Sequence, residues 1–373
     1  MRFTINRRAL NKGVNVIQRS IAKAAANPIL VNVLLELKRD GLSMTSNNGI
    51  LTIQHKIPNT LNNEILINNI EEGSILIKSE LLTDLVRKLD TAETITFEVF
   101  DDTIIKIESS SFSATVNGIK ADEYVDINLE EDGEVLVMDA RRFIEVVDQT
   151  AFAASNKDKP PLNAIHFVAE NGVLDATATD TTKLAAKTVN INSKTNMVFN
   201  LNSKTADIIA RMCEDQQQIR LCVNKNRALF SFENTKVSTQ LIPADYPNTK
   251  NIKINSAEYR LEANTTQLLT AIERVSSLST INEKAVKISM KRGEVRVSSK
   301  DEGLGSANER LTNVFYDSEA LDISCSFLNI TNSLKALRSE EVVLEFNGEM
   351  RPFKISNPRD KSISIMITPV RPN

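Results

Sequence analysis

The chain has 373 residues, of which 41% are hydrophobic and 25% charged, and its formal net charge is −3. This composition is typical of a globular protein of two or three domains, and it excludes a uniformly basic nucleic-acid-binding protein. No apolar run is long enough for a membrane span or a signal peptide, so we expect a cytoplasmic protein. The cysteines Cys213, Cys222 and Cys325 lack zinc-site or disulfide spacing, and we expect them to fill the core.

A threefold internal repeat is the most informative feature of the sequence. Each copy opens with a short alternating strand that runs into an amphipathic helix. The three segments are RFTINRRALNKGVNVIQRSI from Arg2, VLVMDARRFIEVVDQTAF from Val135 and YRLEANTTQLLTAIERVSSL from Tyr259. A residue that can cap a helix N-terminus precedes each helix. These residues are Asn6, Asp139 and either Asn264 or Thr265.

A β-hairpin and a second strand-helix unit follow in each copy. The hairpin turns are predicted at glycine dipeptides, because glycine supplies the positive φ that a two-residue turn needs. These dipeptides are Asp40-Gly41, Asn171-Gly172 and Arg292-Gly293. The second helices have Ser79, Asn202 and Ser326 as candidate caps, and another hairpin follows each, with a turn near Asn347-Gly348 in the last copy.

The repeat predicts three domains, residues 1–125, 126–252 and 253–373. Each copy has too many strands and too few helices for a parallel α/β sheet. We therefore expect an α+β fold, in which two helices per domain cover antiparallel sheets.

The charges are segregated along the chain. Residues 1–35 contain six basic residues and no acid, whereas residues 121–134 contain seven acids and no base. A basic helix layer can therefore exist on a chain of negative net charge. Such a layer attracts phosphates at long range without reading bases.

The usual signatures of catalysis are missing. His55 and His166 have no cysteine or carboxylate at ligand spacing, and no phosphate-binding loop, nucleophile elbow or zinc-protease motif occurs. We expect no catalytic residue, no metal and no cofactor. A hydrolase of unrecognised type stays open as an alternative, and strongly shifted carboxylates in a deep polar pocket would favour it.

Five short stretches resemble the bacterial DNA sliding clamp family, the β subunit of DNA polymerase III. They are RFTINRRAL at the start, NPIL from Asn27, TATDTTKLA from Thr177, LIPADYPNT from Leu241 and MITPVRPN at the end. Their order and spacing, the chain length and the threefold repeat all match the family.

The resemblance implies a non-catalytic replication protein, a head-to-tail homodimer that forms a ring around duplex DNA of any sequence. Phe112 and Leu278 would lie at the dimer interface. The implied partners are the polymerase III α subunit, the clamp loader, and other polymerases and repair proteins that carry short Gln-Leu-type motifs; no membrane is involved. The protein would be cytoplasmic and associated with the nucleoid. A monomeric interaction scaffold built from the same repeats is the alternative.

The resemblance also implies one peptide-binding cleft per subunit, between domains two and three. Its predicted wall is Leu162, Thr179, Thr181, Thr182, Lys183, Leu184, Pro247, Ile252, Met350, Pro352, Met366, Ile367, Thr368, Pro369, Val370 and Arg371. The family commonly has Gly-His-Arg or Ser-His-Arg where this chain has Thr181-Thr182-Lys183, and lysine lacks the planar fork of arginine. The affinity for a standard partner peptide is therefore open.

The residues predicted to face DNA are basic side chains on or beside the repeated helices. They are Arg7, Arg8, Lys12, Arg19, Lys23, Arg87, Lys88, Arg141, Lys157, Lys159, Lys204, Arg211, Lys335 and Arg338.

Overall fold

The structure, a computed structural model, describes residues 1–21, 27–89, 91–249, 252, 256–278, 285–301 and 303–371. The chain divides into two compact units, Met1–Ala140 with Arg211–Leu241, and Arg141–Ala210 with Ile242–Asn373. In the described part of the chain, no helix is long and apolar enough to span a membrane.

The helices and strands follow the predicted order. The α-helices are α1 Arg7–Ile17, α2 Ser79–Lys88, α3 Ala140–Thr150, α4 Ser203–Met212, α5 Thr265–Val275 and α6 Phe327–Leu337. The strands of the first half are β1 Arg2–Asn6, β2 Asn32–Lys38, β3 Gly41–Asn47, β4 Leu51–Pro58, β5 Thr60–Leu61, β6 Glu64–Ile65, β7 Ile67–Glu71, β8 Gly73–Lys78, β9 Thr94–Phe100, β10 Ile104–Glu108, β11 Ser113–Asn117, β12 Glu134–Asp139, β13 Ala164–Glu170 and β14 Val173–Thr179. The others are β15 Lys183–Asn190, β16 Met197–Asn202, β17 Gln218–Val223, β18 Arg227–Phe232, β19 Thr235–Gln240, β20 Tyr259–Asn264, β21 Ala285–Lys291, β22 Glu294–Asp301, β23 Gly305–Arg310, β24 Val314–Phe315, β25 Leu321–Ser326, β26 Glu341–Phe346, β27 Phe353–Asn357 and β28 Asp360–Ile367.

The helices are amphipathic and most begin at the predicted caps. The Asn6 side chain accepts hydrogen bonds from the backbone N–H groups of Arg8 and Ala9, and Asn202, Asn264 and Ser326 cap their helices in the same way. These acceptors satisfy N–H groups that a helix end otherwise leaves without partners.

The sheets of the first unit are antiparallel. One has the strand order β11-β10-β9-β1-β7, and the larger one has the order β12-β17-β18-β19-β4-β3-β2-β8. Helix α1 buries Leu10, Val14 and Ile17, and the sheets bury alternate residues such as Phe3 and Ile53. Alternation along the strands and the helical period along α1 thus direct apolar side chains into the core.

The second unit is built in the same way. Its larger sheet has the order β16-β13-β14-β15-β28-β27-β26-β20-β24, and its smaller sheet has the order β23-β22-β21-β25. The α+β class with helices over antiparallel sheets is confirmed. The three cysteines are buried, as predicted.

Two local predictions were wrong. Ser79 is the first residue of α2 and not its cap; the cap position is Lys78, which makes no side-chain capping bond. Ser79 is buried, and its carbonyl accepts a bond from Thr83 Oγ1 at 2.8 Å.

The first hairpin turn is Arg39-Asp40, because Gly41 already pairs with Lys38. Gly41 has φ +144°, and a Cβ there would lie 2.3 Å from the carbonyl oxygen of Ile57. Glycine is therefore required at this position both by its conformation and by the close approach of the neighbouring strand.

Candidate functional site

The residues predicted for the peptide cleft all belong to the second unit. Strands β15 and β28 pair there, with Leu184 opposite Met366 and Lys183 opposite Ile367. Beyond β28, the Thr368 N–H donates to the Thr182 carbonyl at 2.8 Å. The end of the third repeat thus lies directly beside the β14–β15 loop of the second.

Past this ladder the chain is anchored to a neighbouring strand. The Val370 N–H donates to the carbonyl of Ser324 at 2.8 Å, and Pro369 is buried. Val370 is half-buried, and Thr368 and Arg371 are exposed. The segment 368–371 is therefore held by backbone hydrogen bonds, and the side chains of Thr368, Val370 and Arg371 are at least partly accessible.

The predicted apolar wall residues fall into two sets by burial, a buried set that we call the floor and an exposed set that we call the rim. Leu162, Leu184, Met366 and Ile367 are nearly or fully buried. Ile252 and Met350 are 48% and 53% exposed. Pro247 and Pro352 are also exposed, and Pro352 directly precedes Phe353, which pairs with Ile367. Exposed apolar side chains beside a rigid backbone suit the capture of an apolar peptide anchor.

The loop from Asp180 to Lys183 is held by its own side chains. The Asp180 carboxylate accepts bonds from the N–H groups of Thr182 and Lys183, at 2.9 and 3.0 Å, and forms an ion pair with the Lys183 ammonium. Thr181 has φ +79°, a conformation that a β-branched residue rarely adopts. Glycine would adopt this φ without strain.

Tyr246 and Asn329 were not singled out from the sequence, yet they hold this loop. The Tyr246 hydroxyl accepts the Thr179 N–H at 2.9 Å, and its ring stacks on His166 with centroids 4.9 Å apart. Burial raises the pKa of Tyr246 to about 12, so its hydroxyl stays protonated. Asn329 on α6 donates to Thr182 Oγ1 at 3.3 Å. Tyr246 lies in the stretch LIPADYPNT that resembles the family, but the resemblance gave it no role, and Asn329 lies in none of the five stretches.

Both histidines have structural partners. His166 Nδ1 lies 2.8 Å from Asn200 Oδ1, and His55 Nδ1 lies 2.8 Å from Thr235 Oγ1. Burial, with a smaller effect of the Lys12 charge, lowers the pKa of His55 to about 4. His55 is therefore neutral at physiological pH.

A buried lysine, also missed from the sequence, lies at the β15–β28 ladder. The Lys187 side chain is only 2% exposed, and its ammonium lies 2.6 Å from Glu145 Oε1 on α3 and 3.0 Å from Asp360 Oδ2. It also donates to Ser362 Oγ at 2.7 Å. Because Asp360 and Ser362 begin β28, this ion pair network joins the second and third repeats.

The basic residues predicted to face DNA occupy helices and the segments that follow them. All are exposed except Arg7, which is half-buried, and Lys23, which lies outside the described residues. Their ion pairs include those of Arg87 with Asp84, Lys335 with Glu273, and Arg338 with Asp148. Lys157 and Lys159 lie in the loop before β13 and not on a helix.

The acidic stretch 121–134, called here the acidic connector, is bonded to strands of the first unit. Glu131 forms a two-point ion pair with Arg220, and Arg227 and Lys236 donate to connector carbonyls. The Arg220 guanidinium thus compensates the Glu131 carboxylate.

Phe112 and Leu278 belong to different units. Phe112 precedes β11 and is half-buried, and its carbonyl accepts from the Ser109 N–H at 2.8 Å. Leu278 ends the helical turn Ser276–Leu278, and its side chain lies outside the described part of the chain.

Known proteins match this chain along its whole length. Family models of the DNA polymerase III beta subunit match residues 1–129 with the N-terminal domain, 137–248 with the central domain and 255–371 with the C-terminal domain. The beta sliding clamp of Bacillus subtilis is 27% identical, with all of both chains covered, and that of Streptococcus pneumoniae R6 is 28% identical over 100% of this chain and 99% of the relative.

Solved structures give the same result. The sliding clamp crystal structure from Bacillus subtilis has a TM-score of 0.94 at 26% identity, and the DNA polymerase III beta chain from Streptococcus pneumoniae TIGR4 has the same values, each with both chains fully covered. The chain therefore belongs to the family of the DNA polymerase III beta subunit, the beta sliding clamps.

Proposed function

We propose that the chain is the subunit of a dimeric ring that encircles duplex DNA and tethers the replicative polymerase. It acts in the cytoplasm at the nucleoid as a non-catalytic processivity factor. The observation that carries the proposal is a pair of open sheet edges that the internal repeat predicts to be partners. Both edges correspond to strands that form joins between repeats elsewhere in the chain.

Two such joins are made within the chain, and they use the same register. When the copies are aligned strand by strand through their pairing registers, residues 51–55 of β4 correspond to 183–187 of β15. In the same alignment, residues 235–239 of β19 correspond to 363–367 of β28. The first join pairs β4 with β19, and the second pairs β15 with β28. In both, the first residue of the β4 or β15 segment lies opposite the last residue of the β19 or β28 segment. A register repeated in two independent joins is a property of the repeat.

Among the described strands, the third join is not made. Its two halves are residues 305–309 of β23 and 112–116, which include most of β11, and both strands lie at sheet edges. An edge strand with unpaired N–H and C=O groups is a template for another strand. If β23 of one copy pairs with β11 of the next, head-to-tail closure leaves neither edge open. The repeat then places Ser113 opposite Asn308 of the other copy.

A cysteine pair tests this register. Ser113→Cys combined with Asn308→Cys should give an intermolecular disulfide under mild oxidation, because directly opposed Cβ atoms are about 4.5–5.5 Å apart. The matched control is Ser113→Cys with Ala307→Cys, since a shift of one residue points the side chain to the other face. Equal cross-linking of both pairs, or a single-chain mass in sedimentation, would contradict the proposal and favour the monomeric scaffold.

The dimensions of such a ring suit DNA. Twelve helices side by side at ~9–10 Å give a centre-line diameter of about 36 Å and roughly 25 Å of clear space. Duplex DNA is about 20 Å across, so it passes with room for water. Exposed Arg8, Lys12 and Arg19 would attract phosphates without fixing a position, which allows sliding. Native dimers loaded on nicked circular DNA should stay bound and should leave once the circle is cut.

We also propose that the floor and rim residues of the second unit form the partner cleft. Its ligands are short Gln-Leu-type motifs of the polymerase III α subunit, the clamp loader, and other polymerases and repair proteins. The first join differs at corresponding positions: Ser238 and Thr239 stand where Met366 and Ile367 lie in the second. This loss of apolar groups supports a single cleft per chain.

A charge in the cleft tests its position. Val370→Asp should abolish capture of a Gln-Leu-type peptide, because an apolar anchor cannot pack against an ionised side chain. Val198→Asp is the matched control, since Val198 is 65% exposed on β16 of the same unit. Unchanged binding in Val370→Asp, with an intact dimer, would refute the placement.

A further inference from the structure

The carboxylate of Asp180 accepts more hydrogen bonds than any other group in the β14–β15 loop. One oxygen accepts from the Thr182 N–H at 2.9 Å, the Thr182 hydroxyl at 2.8 Å and the Lys183 N–H at 3.0 Å. The other oxygen accepts from the Lys183 ammonium. The Asp180 side chain is only 20% exposed and the Lys183 side chain only 10%.

This pairing decides what the loop presents to a ligand. Thr179, Thr181, Thr182 and the neighbouring Asn329 are neutral, so Lys183 is the cation of the loop. Burial opposes ionisation of Asp180, but the hydrogen bonds from Lys183 and Thr182 outweigh it and lower its pKa. The Asp180 carboxylate is thus ionised at neutral pH, and its negative charge compensates the positive charge of the Lys183 ammonium.

We propose that Asp180 is a positioning residue that sets the charge preference of the peptide cleft by holding the Lys183 ammonium within the loop. The inference rests on the proposed cleft and goes beyond it. In the natural protein the loop therefore adds no preference for an acidic residue beside the apolar anchors of a partner motif, whatever the exposed Arg371 of the predicted wall contributes. Loss of the carboxylate converts the cleft into one that prefers acidic motifs.

The experiment compares two synthetic Gln-Leu-type peptides that differ only in Asp or Asn beside the apolar anchors. The readout is the ratio of their dissociation constants, which cancels any effect common to both. The ratio in the natural dimer is the reference, and the compensated Lys183 ammonium contributes little to it. In Asp180→Asn, the amide oxygen still accepts from the loop N–H groups, while its NH₂ group repels the ammonium. Relative to the reference, the Asp peptide should then be favoured by about three- to fivefold, the scale of an exposed ion pair.

Two controls separate electrostatics from structure. Adding Lys183→Met to Asp180→Asn should return the ratio to its natural value, which a purely structural effect of Asp180 would not do. Asp322→Asn removes a carboxylate that pairs with Lys287 at 2.8 Å elsewhere in the unit, and it should leave the ratio unchanged. The gain in Asp180→Asn should also shrink in high salt.

The outcomes are distinguishable. An unchanged ratio in Asp180→Asn of normal dimer mass and melting temperature overturns the proposal. Lys183→Met alone covers the case in which Asp180→Asn does not fold. If Lys183→Met lowers the relative affinity of the Asp peptide, the ammonium was already available and the proposal is wrong; an unchanged ratio supports it. Failure of the natural dimer to bind either peptide would contradict the proposed cleft instead.

Discussion

Replacement of Lys187 by methionine should weaken the join between the second and third repeats. Methionine keeps most of the side-chain length and apolar volume, so it removes the ammonium with little change in packing. Glu145 and Asp360 then lose their shared cation, and the beginning of β28 loses its tie to α3.

The expected cost follows from burial. Removal of one partner of a fully buried ion pair costs about 3–5 kcal/mol. Here the Glu145 and Asp360 side chains are 28% and 35% exposed, so water can recover part of that loss. We therefore expect the second unit to lose about 2–3 kcal/mol of unfolding free energy, which is less than the loss for a fully buried pair.

Hydrogen exchange measures this loss locally. Amides of the β15–β28 ladder should exchange faster in Lys187→Met, whereas those of the β4–β19 ladder should not change, because only the former contacts the network. Adding Asp360→Asn should recover part of the stability, since it removes one of the uncompensated charges. A loss below about 1 kcal/mol, or no recovery in the double variant, would show that the network carries little stability.

Three further changes have defined outcomes. Because the folded state holds the pKa of His55 near 4, below its usual 6.5, the unfolded chain binds the extra proton; stability should fall by about 2–3 kcal/mol as the pH drops from 6.5 to 4, and His55→Gln should remove that slope in denaturant titrations. Thr181→Gly should raise the unfolding free energy by about 0.5–1 kcal/mol, because glycine adopts φ +79° without strain; a loss of stability would contradict this reason. Replacement of Arg8, Lys12 and Arg19 by glutamine should reduce the salt slope of DNA association by about 0.9 for each lost phosphate contact, and an unchanged slope would mean that these residues face elsewhere.

The sequence predicted the elements whose information is local. Helix starts at Asn6, Asn202, Asn264 and Ser326 follow from side chains that reach N–H groups within three residues. Ser79 was misplaced because Ser can occupy either the cap or the first helical position. The alternation of buried and exposed residues along the strands, and the threefold repeat, were also predicted from short-range patterns.

The rest depends on contacts that no local pattern encodes. Lys187 lies 173 positions from Asp360 in the chain. The alternating pattern of its own strand indicates only that Lys187 is a strand residue. The joins β4–β19 and β15–β28 likewise pair segments from different repeats. In the candidate cleft, the family resemblance supplied the wall residues, but it gave no indication that Asp180 engages Lys183 or that Tyr246 holds Thr179.

Topological linkage is the most direct test of the ring. The Ser113→Cys and Asn308→Cys dimer, loaded on nicked circular DNA and then oxidised, should stay on the DNA in denaturing detergent, because two disulfides close the ring covalently. Cutting the circle or adding reductant should release it. Detergent release from the intact circle, with both disulfides formed, would mean that the ring does not enclose DNA.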